Sequence, residues 1–134
     1  MNEQEKYKHW LEHAQYDMKA AEAMLNSRMW LYAVFMCQQA IEKLVKGLYG
    51  IFVDADNVPR VHNIKRLVKE FEDKLQEPVK EEYYDLFVTL SGYYLNNRYP
   101  DFKTNLAATI SENKARELYA QAKEAFAWLQ TLKR

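Results

Sequence analysis

The sequence predicts an all-α fold, an antiparallel up-and-down helical bundle of four long helices plus one short helix. Three glycines and three prolines in 134 residues are too few for a β-rich or loop-rich protein. Apolar residues recur at three- and four-residue steps in four long segments, and the connections between the segments are short. The length suits a single domain, 1–134, that can bury most of its apolar surface.

The first two helices are predicted over residues 4–26 and 30–52. The apolar positions of helix one are Tyr7, Trp10 or Leu11, Ala14, Met18, Ala21 and Leu25. Those of helix two are Leu31, Phe35, Ile41, Val45, Leu48 and Phe52. Gly47 weakens helix two by about 1 kcal/mol relative to alanine. A close contact with a neighbouring helix is the simplest reason for a glycine there.

The short third helix and the fourth helix follow a polar linker. Asn63 is placed to cap helix three. Pro78 suits the first turn of helix four, which we expect to end near Leu95. Residues 96–110 form the longest stretch without clear periodicity, and long loops in small domains are often functional.

The fifth helix has a predicted start signal. Thr109 and Glu112 are spaced like the two members of a capping box. The core face of helix five is Ala115, Leu118, Tyr119, Ala122, Phe126 and Leu129.

Composition excludes several classes of protein. Lys and Arg total 19, as do Asp and Glu, so no global basic field holds a nucleic acid and any RNA contact would come from a local patch. The single cysteine, Cys37, excludes an intrachain disulfide and fits a reducing cytoplasm. The longest apolar run, 29–37, is too short to cross a bilayer, and the first residues lack a signal-peptide core. We therefore expect a cytoplasmic protein with no membrane contact.

A polar string, residues 38–46, interrupts the otherwise apolar helix two. Gln39, Lys43 and Lys46 fall at i, i+4 and i+7, so they share a helical face and could bind an anion. Glu42 and Lys46 are also four residues apart, and an ion pair on a solvated face is the alternative interpretation.

A second polar cluster, residues 96–101, follows helix four. Arg98 can hold a phosphate through its planar set of N–H donors, or it can pair with Asp101 and anchor the loop. Tyr99 can stack on a base or fill the core. The functional hypothesis is that the two polar clusters converge on one exposed cleft.

Two histidine patterns are candidate sites. His62, at the start of helix three, can supply an imidazole to the Arg98 loop, or cap and pack locally. His9 and His13 share a face of helix one, but no later segment offers a convincing third ligand. We expect no metal and no cofactor.

Four motifs, in order along the chain, resemble the HEPN family (higher eukaryotes and prokaryotes nucleotide-binding domain). They are Trp10, Ala14, Asp17, Ala20 and Ala21; then Gln38, Gln39, Ala40, Glu42, Lys43 and Lys46; then His62, Asn63 and Ile64; then Arg98, Tyr99, Pro100 and Asp101. The resemblance implies a helical bundle that usually dimerises. It also implies a prokaryotic toxin–antitoxin or defence locus, in which a minimal nucleotidyltransferase is often the neighbour. Some family members are metal-independent ribonucleases, and others are regulatory or nucleotide-binding modules.

The ribonuclease branch of that family uses an Arg followed by four to six residues and then His. Arg98 would be that Arg, but the expected His positions hold Lys103, Thr104 and Asn105. Without an imidazole, no group there titrates near neutrality as a general acid or base, which argues against an enzyme. We therefore favour a homodimeric nucleotide- or RNA-binding or regulatory module, partnered by a nucleotidyltransferase.

Two alternatives remain. One is a ribonuclease toxin in which Arg98 acts with His62 or Lys103. The other is a purely structural dimerisation domain.

Overall fold

Five α-helices make up the described part of the chain, residues 1–94 and 110–132 of a computed structural model. They are α1 (Glu3–Asn26), α2 (Trp30–Tyr49), α3 (Ile64–Lys69), α4 (Glu81–Ser91) and α5 (Glu112–Gln130). A π-helical turn, Gly50–Asp54, extends α2, and a 3₁₀ turn, Glu72–Lys74, follows α3. The described residues contain no strand. The all-α prediction is confirmed.

A tight turn at Arg28 joins α1 to α2. Arg28 has a φ of 63°, in the left-handed region that usually takes glycine. The Met29 N–H donates to the Met24 carbonyl (2.9 Å) and the Arg28 N–H to the Leu25 carbonyl (3.1 Å). This pair of bonds closes the last turn of α1 and reverses the chain, so α1 and α2 form an antiparallel hairpin.

Side-chain contacts fix the directions of α4 and α5. The ring centroid of Tyr94, just past the end of α4, lies 6.0 Å from the ring centroid of Phe35, near the start of α2. Helix α4 therefore runs antiparallel to α2. The ring centroids of Tyr83, at the start of α4, and Trp128, at the end of α5, lie 5.0 Å apart, so these two helices are also antiparallel. The long helices therefore alternate in direction along the chain, as the sequence predicts.

The core is built around α2, which contacts all four other helices. Its fully buried apolar residues are Ala33, Val34, Cys37, Ala40, Ile41, Leu44, Val45 and Leu48. Burial raises the pKa of the Cys37 thiol to about 12, so the thiol is a small core residue rather than a nucleophile. None of the helices in the described ranges is long and apolar enough to span a bilayer.

At Gly47 the two helices α1 and α2 pack closely together. A methyl group at this position would lie 2.9 Å from the Trp10 Cβ, closer than packed carbon atoms can come. The predicted helix contact is confirmed.

Some predicted helix boundaries are confirmed and others are wrong. The Asn63 side chain caps α3 by accepting from the Arg66 N–H (3.1 Å), as expected. Helix two becomes π-helical at Gly50 instead of continuing as an α-helix to Phe52. Helix four ends at Ser91, short of the predicted end near Leu95, which lies outside the described residues.

The starts of the last two helices also differ from prediction. Pro78 precedes α4, because the next residue, Val79, donates its N–H to Glu72 Oε2 (3.2 Å) and stays outside the helix. Ser111 caps α5, since its Oγ accepts from the Lys114 N–H (3.1 Å). Thr109, the expected cap, lies outside the described residues.

Candidate functional site

A buried carboxylate on α2 organises the polar string. Glu42 is 4% exposed, and among the described residues it contacts the polar side chains of Gln38, Lys46 and His62, which together with it form the Glu42 cluster. Gln38 Nε2 donates to Glu42 Oε1 (2.7 Å) and Lys46 Nζ donates to Oε2 (2.9 Å). His62 Nδ1 lies 3.1 Å from both oxygens.

Helical spacing explains part of this geometry. Gln38, Glu42 and Lys46 stand at i, i+4 and i+8, so one turn separates each from the next along the same face. The ion pair between Glu42 and Lys46 forms, but it is buried rather than solvated, with side chains 5% and 11% exposed. A buried charge without donors would cost several kcal/mol, so the cluster stabilises the carboxylate rather than leaving it for a ligand.

His62 is the exposed member of the Glu42 cluster, with 47% of its side chain accessible. Its backbone is held by α4, because Ser91 Oγ donates to the His62 carbonyl and accepts from the Ile64 N–H, both at 3.4 Å. Its ring stacks on Tyr94, with centroids 3.9 Å apart and planes 17° from parallel. The ring is thus held between Glu42 of α2 and Tyr94, which follows α4.

The contact with Glu42 also sets the tautomer of His62. An ionised carboxylate only accepts hydrogen bonds, so the proton of a neutral imidazole belongs on Nδ1. Nε2, on the other side of the ring, then carries the lone pair. The arrangement can stack a planar group or move a proton at Nε2.

The expected anion-binding face on α2 is divided between two environments. Lys46 belongs to the Glu42 cluster, whereas Lys43 Nζ pairs with Asp17 Oδ2 on α1 at 2.6 Å. Gln39 is half-buried. Each of the two ammonium groups therefore has a carboxylate partner, and anion binding by this face stays a prediction.

The second polar cluster is not described. Arg98, Tyr99, Asp101 and Lys103 lie outside the described residues, so its convergence with the first cluster remains a prediction. Among the described residues, no group of three or more His, Cys, Asp or Glu side chains could hold a metal ion.

Sequence reasoning missed two members of this site. The apolar pattern places Tyr94 on the core face of helix four, and nothing in the sequence singles out Ser91. Both lie about thirty residues from His62 along the chain, so periodicity within one helix carries no signal for their contacts. The one signal in the sequence that could have indicated Tyr94 was its position two residues before the second polar cluster.

The chain is similar to two solved structures over nearly its whole length. It superposes on TT1696 from Thermus thermophilus with a TM-score of 0.79 and 25% identity, covering 96% of this chain and 98% of that one. It superposes on ST0689, an archaeal HEPN homologue, with a TM-score of 0.71 and 23% identity, covering 95% and 98%. The second likeness shows the fold alone. No curated protein matches the chain significantly.

The family comparison covers the same span. The model of the HEPN domain matches residues 7–132, which include the Glu42 cluster and the segment around Arg98. The expected resemblance is confirmed, and the chain belongs to the HEPN domain family.

Proposed function

We propose that this chain is a nucleotide- or RNA-binding regulatory module whose ligand stacks a base against the His62–Tyr94 pair. The single observation that carries the proposal is this stack, held by the buried Glu42 carboxylate and half exposed to solvent. Unpaired bases bind proteins by stacking on aromatic side chains, including histidine. A preorganised pair of rings loses little entropy when a base arrives.

Arg98 is the proposed phosphate ligand of the same site. It follows Tyr94 by four residues, so the backbone cannot carry its Cα further than about 14 Å from that of Tyr94. A guanidinium presents two parallel N–H donors to a phosphate. Tyr99 and Asp101, which follow Arg98 in the sequence, are proposed members of the same site, and Gln39, Lys43 and Lys46 are the proposed anion-binding residues of α2.

The partners are proposed on family grounds. HEPN membership supports a homodimer in a prokaryotic toxin–antitoxin or defence system, with a minimal nucleotidyltransferase as the partner protein. We place the protein in the cytoplasm. Exposed apolar side chains such as Val88 (54% exposed) and Met29 (44% exposed) offer contact area for either assembly.

Binding is tested with labelled single-stranded RNA by fluorescence anisotropy and with nucleotides by calorimetry. Tyr94→Leu should weaken binding by about tenfold or more, since one base stack contributes about 1–3 kcal/mol. Arg98→Ala should weaken it and reduce its salt dependence. Tyr16→Leu, a tyrosine remote in sequence from the site, is the matched control. Wild-type protein that binds neither RNA nor nucleotide would refute the proposal, as would equal losses in Tyr94→Leu and the control.

A metal-independent ribonuclease is the second candidate, favoured by the contact between His62 and Glu42. Nε2 of His62 would accept the proton of a ribose 2′-hydroxyl. The 2′-oxygen would then attack the adjacent phosphorus, and the bond to the 5′-oxygen would break as that oxygen takes a proton from water, which leaves a 2′,3′-cyclic phosphate and a 5′-hydroxyl. Arg98 would stabilise the charge on the phosphorane, and Lys103 is the alternative to His62 as the group that acts with Arg98.

Growth arrest on expression, relieved by His62→Gln and by Arg98→Ala, is the expected result for the ribonuclease. Purified protein should cleave RNA in the presence of EDTA and should not cleave an analogue with 2′-deoxyribose at the scissile position. Cleavage that survives both substitutions would exclude this site. A protein that binds RNA without cleaving it would support the regulatory module alone, and one that does neither would leave the structural dimerisation domain.

A further inference from the structure

His9 and His13 form an exposed pair of imidazoles on α1. They stand four residues apart, so one helical turn places both rings on the same face. Both border a cavity of about 350 Å³ between α1 and the middle of α2, so open space lies beside the rings. Within residues 1–94 and 110–132, the two rings contact each other, and neither makes a hydrogen bond or an ion pair.

The separation of the two rings suits one shared metal ion. With a bond of about 2.0–2.1 Å to a ring nitrogen, Zn²⁺ lies about 3.2 Å from the centroid of that ring. Two rings on one ion then have centroids about 5.2 Å apart at the tetrahedral angle and about 4.5 Å apart at a right angle. The centroids of His9 and His13 lie 5.0 Å apart, between these two values. Their planes are tilted by 51°, so the rings are not stacked and their nitrogen lone pairs can point to a common position.

The backbone that carries the pair is held against α2. Ala14, next to His13, is fully buried, and Trp10, next to His9, has its Cβ packed beside Gly47. A fixed helix keeps the two imidazoles close together before an ion arrives, which lowers the entropy cost of binding it.

The charges around the pair do not oppose a cation. Two lysines line the same cavity, and both pair with carboxylates, Lys6 with Asp56 and Lys43 with Asp17. The ammonium charges nearest the rings are therefore largely offset.

We propose that His9 and His13 together bind one divalent late transition-metal ion, of the class of Zn²⁺ and Ni²⁺. Neutral imidazole suits these ions, whereas Mg²⁺ and Ca²⁺ prefer oxygen ligands. The described ranges hold no group of three or more His, Cys, Asp or Glu side chains suited to a metal ion, so water fills the other coordination positions. The proposal differs from the sequence-based expectation of no metal, which depends on a third protein ligand. It also goes beyond the proposed function, with which the site shares no residue.

Zinc binding is measured by calorimetry on protein that carries no polyhistidine tag and that has been treated with EDTA and dialysed. One Zn²⁺ per chain should bind, and Mg²⁺ should give no heat. The chain has three histidines, so an NMR spectrum that correlates ring ¹H and ¹⁵N signals can resolve each of them. Zn²⁺ should shift the signals of His9 and His13 together and leave those of His62 in place.

Matched variants separate binding by the pair from binding by single imidazoles. His9→Gln and His13→Gln alter exposed side chains, so they should fold, and each should weaken Zn²⁺ binding by about a hundredfold because the second ligand is lost. Gln15→His alone leaves the pair intact and should bind Zn²⁺ as wild type does. Gln15→His combined with His13→Gln keeps three histidines but moves one imidazole to another face of α1, so it should lose as much affinity as His13→Gln alone.

Three results would overturn the proposal. One is the absence of both binding heat and ring-signal shifts at about 1 mM Zn²⁺. Another is an unchanged affinity in either single histidine variant. The third is a double variant that binds Zn²⁺ as tightly as wild type, which would mean that separate imidazoles bind the ion.

Discussion

Both carboxylate oxygens of Glu42 lie 3.1 Å from Nδ1 of His62, across twenty residues of sequence. The contact joins the most buried helix to the start of α3 and brings a half-exposed ring beside Tyr94. The stability of the fold and the geometry of the proposed site therefore depend on the same side chain.

Replacing this carboxylate should destabilise the protein strongly. Glu42→Gln leaves the Lys46 ammonium, 11% exposed, without its counterion, and breaking a buried pair costs about 3–5 kcal/mol. Urea denaturation followed by circular dichroism measures the loss. Glu124→Gln, at an exposed position of α5, should stay within about 0.5 kcal/mol of wild type. An equally small change in Glu42→Gln would show that the ion pair contributes nothing.

Gly47→Ala should destabilise the protein although alanine is the better helix former. The gain in helix propensity is about 1 kcal/mol. A methyl group 2.9 Å from the Trp10 Cβ forces α1 and α2 apart, and such overpacking typically costs about 1–3 kcal/mol. Thermal denaturation gives the sign of the net effect.

The control for Gly47 is Gly92→Ala. Gly92 has a φ of −68°, which any residue adopts, and its added methyl would meet the Thr89 carbonyl no closer than 3.3 Å. Gly92→Ala should therefore be the milder change. If Gly47→Ala raised the melting temperature, the close approach of the two helices would be refuted.

The Cys37 thiol should not react in the folded protein. With its pKa raised to about 12, hardly any thiolate exists at pH 8, whereas an unfolded cysteine has a pKa of about 8.5. The colour change with Ellman's reagent should be slower by about a thousandfold or more in buffer than in 8 M urea. Because the chain holds a single cysteine, the signal reports on this residue alone. Rapid labelling in buffer would mean that α2 opens.

Glu112 should contribute to stability only above mildly acidic pH. Its hydrogen bond from Arg116 Nε (2.8 Å), with the nearby charge of Arg28, holds its pKa below the usual 4.5. A carboxyl with a lowered folded pKa stabilises the fold above its unfolded pKa, and this contribution fades as the pH falls through the folded value. Glu112→Gln should therefore destabilise more at pH 7 than at pH 3.

Urea denaturation at both pH values tests this dependence. Glu124→Gln again serves as the control, since it lies on the same helix without this pair of arginines. Equal losses at pH 7 and pH 3 for Glu112→Gln would contradict the prediction.

The bundle was predictable because each helix carries its own apolar stripe, and an asparagine cap such as Asn63 acts within three residues. The predictions were wrong where contacts with residues distant in the sequence determine the structure. Val79 is drawn out of α4 by Glu72, and no local rule indicates that bond. The Glu42–Lys46 pair was visible in the spacing, but its burial was not, because burial depends on His62 and on helices far along the chain.

Arg28 has a consequence for the order of folding. The hairpin of α1 and α2 can nucleate early, since the connection between the two helices is short and closing it is inexpensive. Yet the Arg28 guanidinium reaches Glu112, 84 residues away, and lies 5.2 Å from the Trp30 ring centroid. The pair with Glu112, whose side chains are 69% and 37% exposed, forms only when the last helix docks. We therefore expect docking of α5 to change the environment of the turn between α1 and α2 after the hairpin has formed.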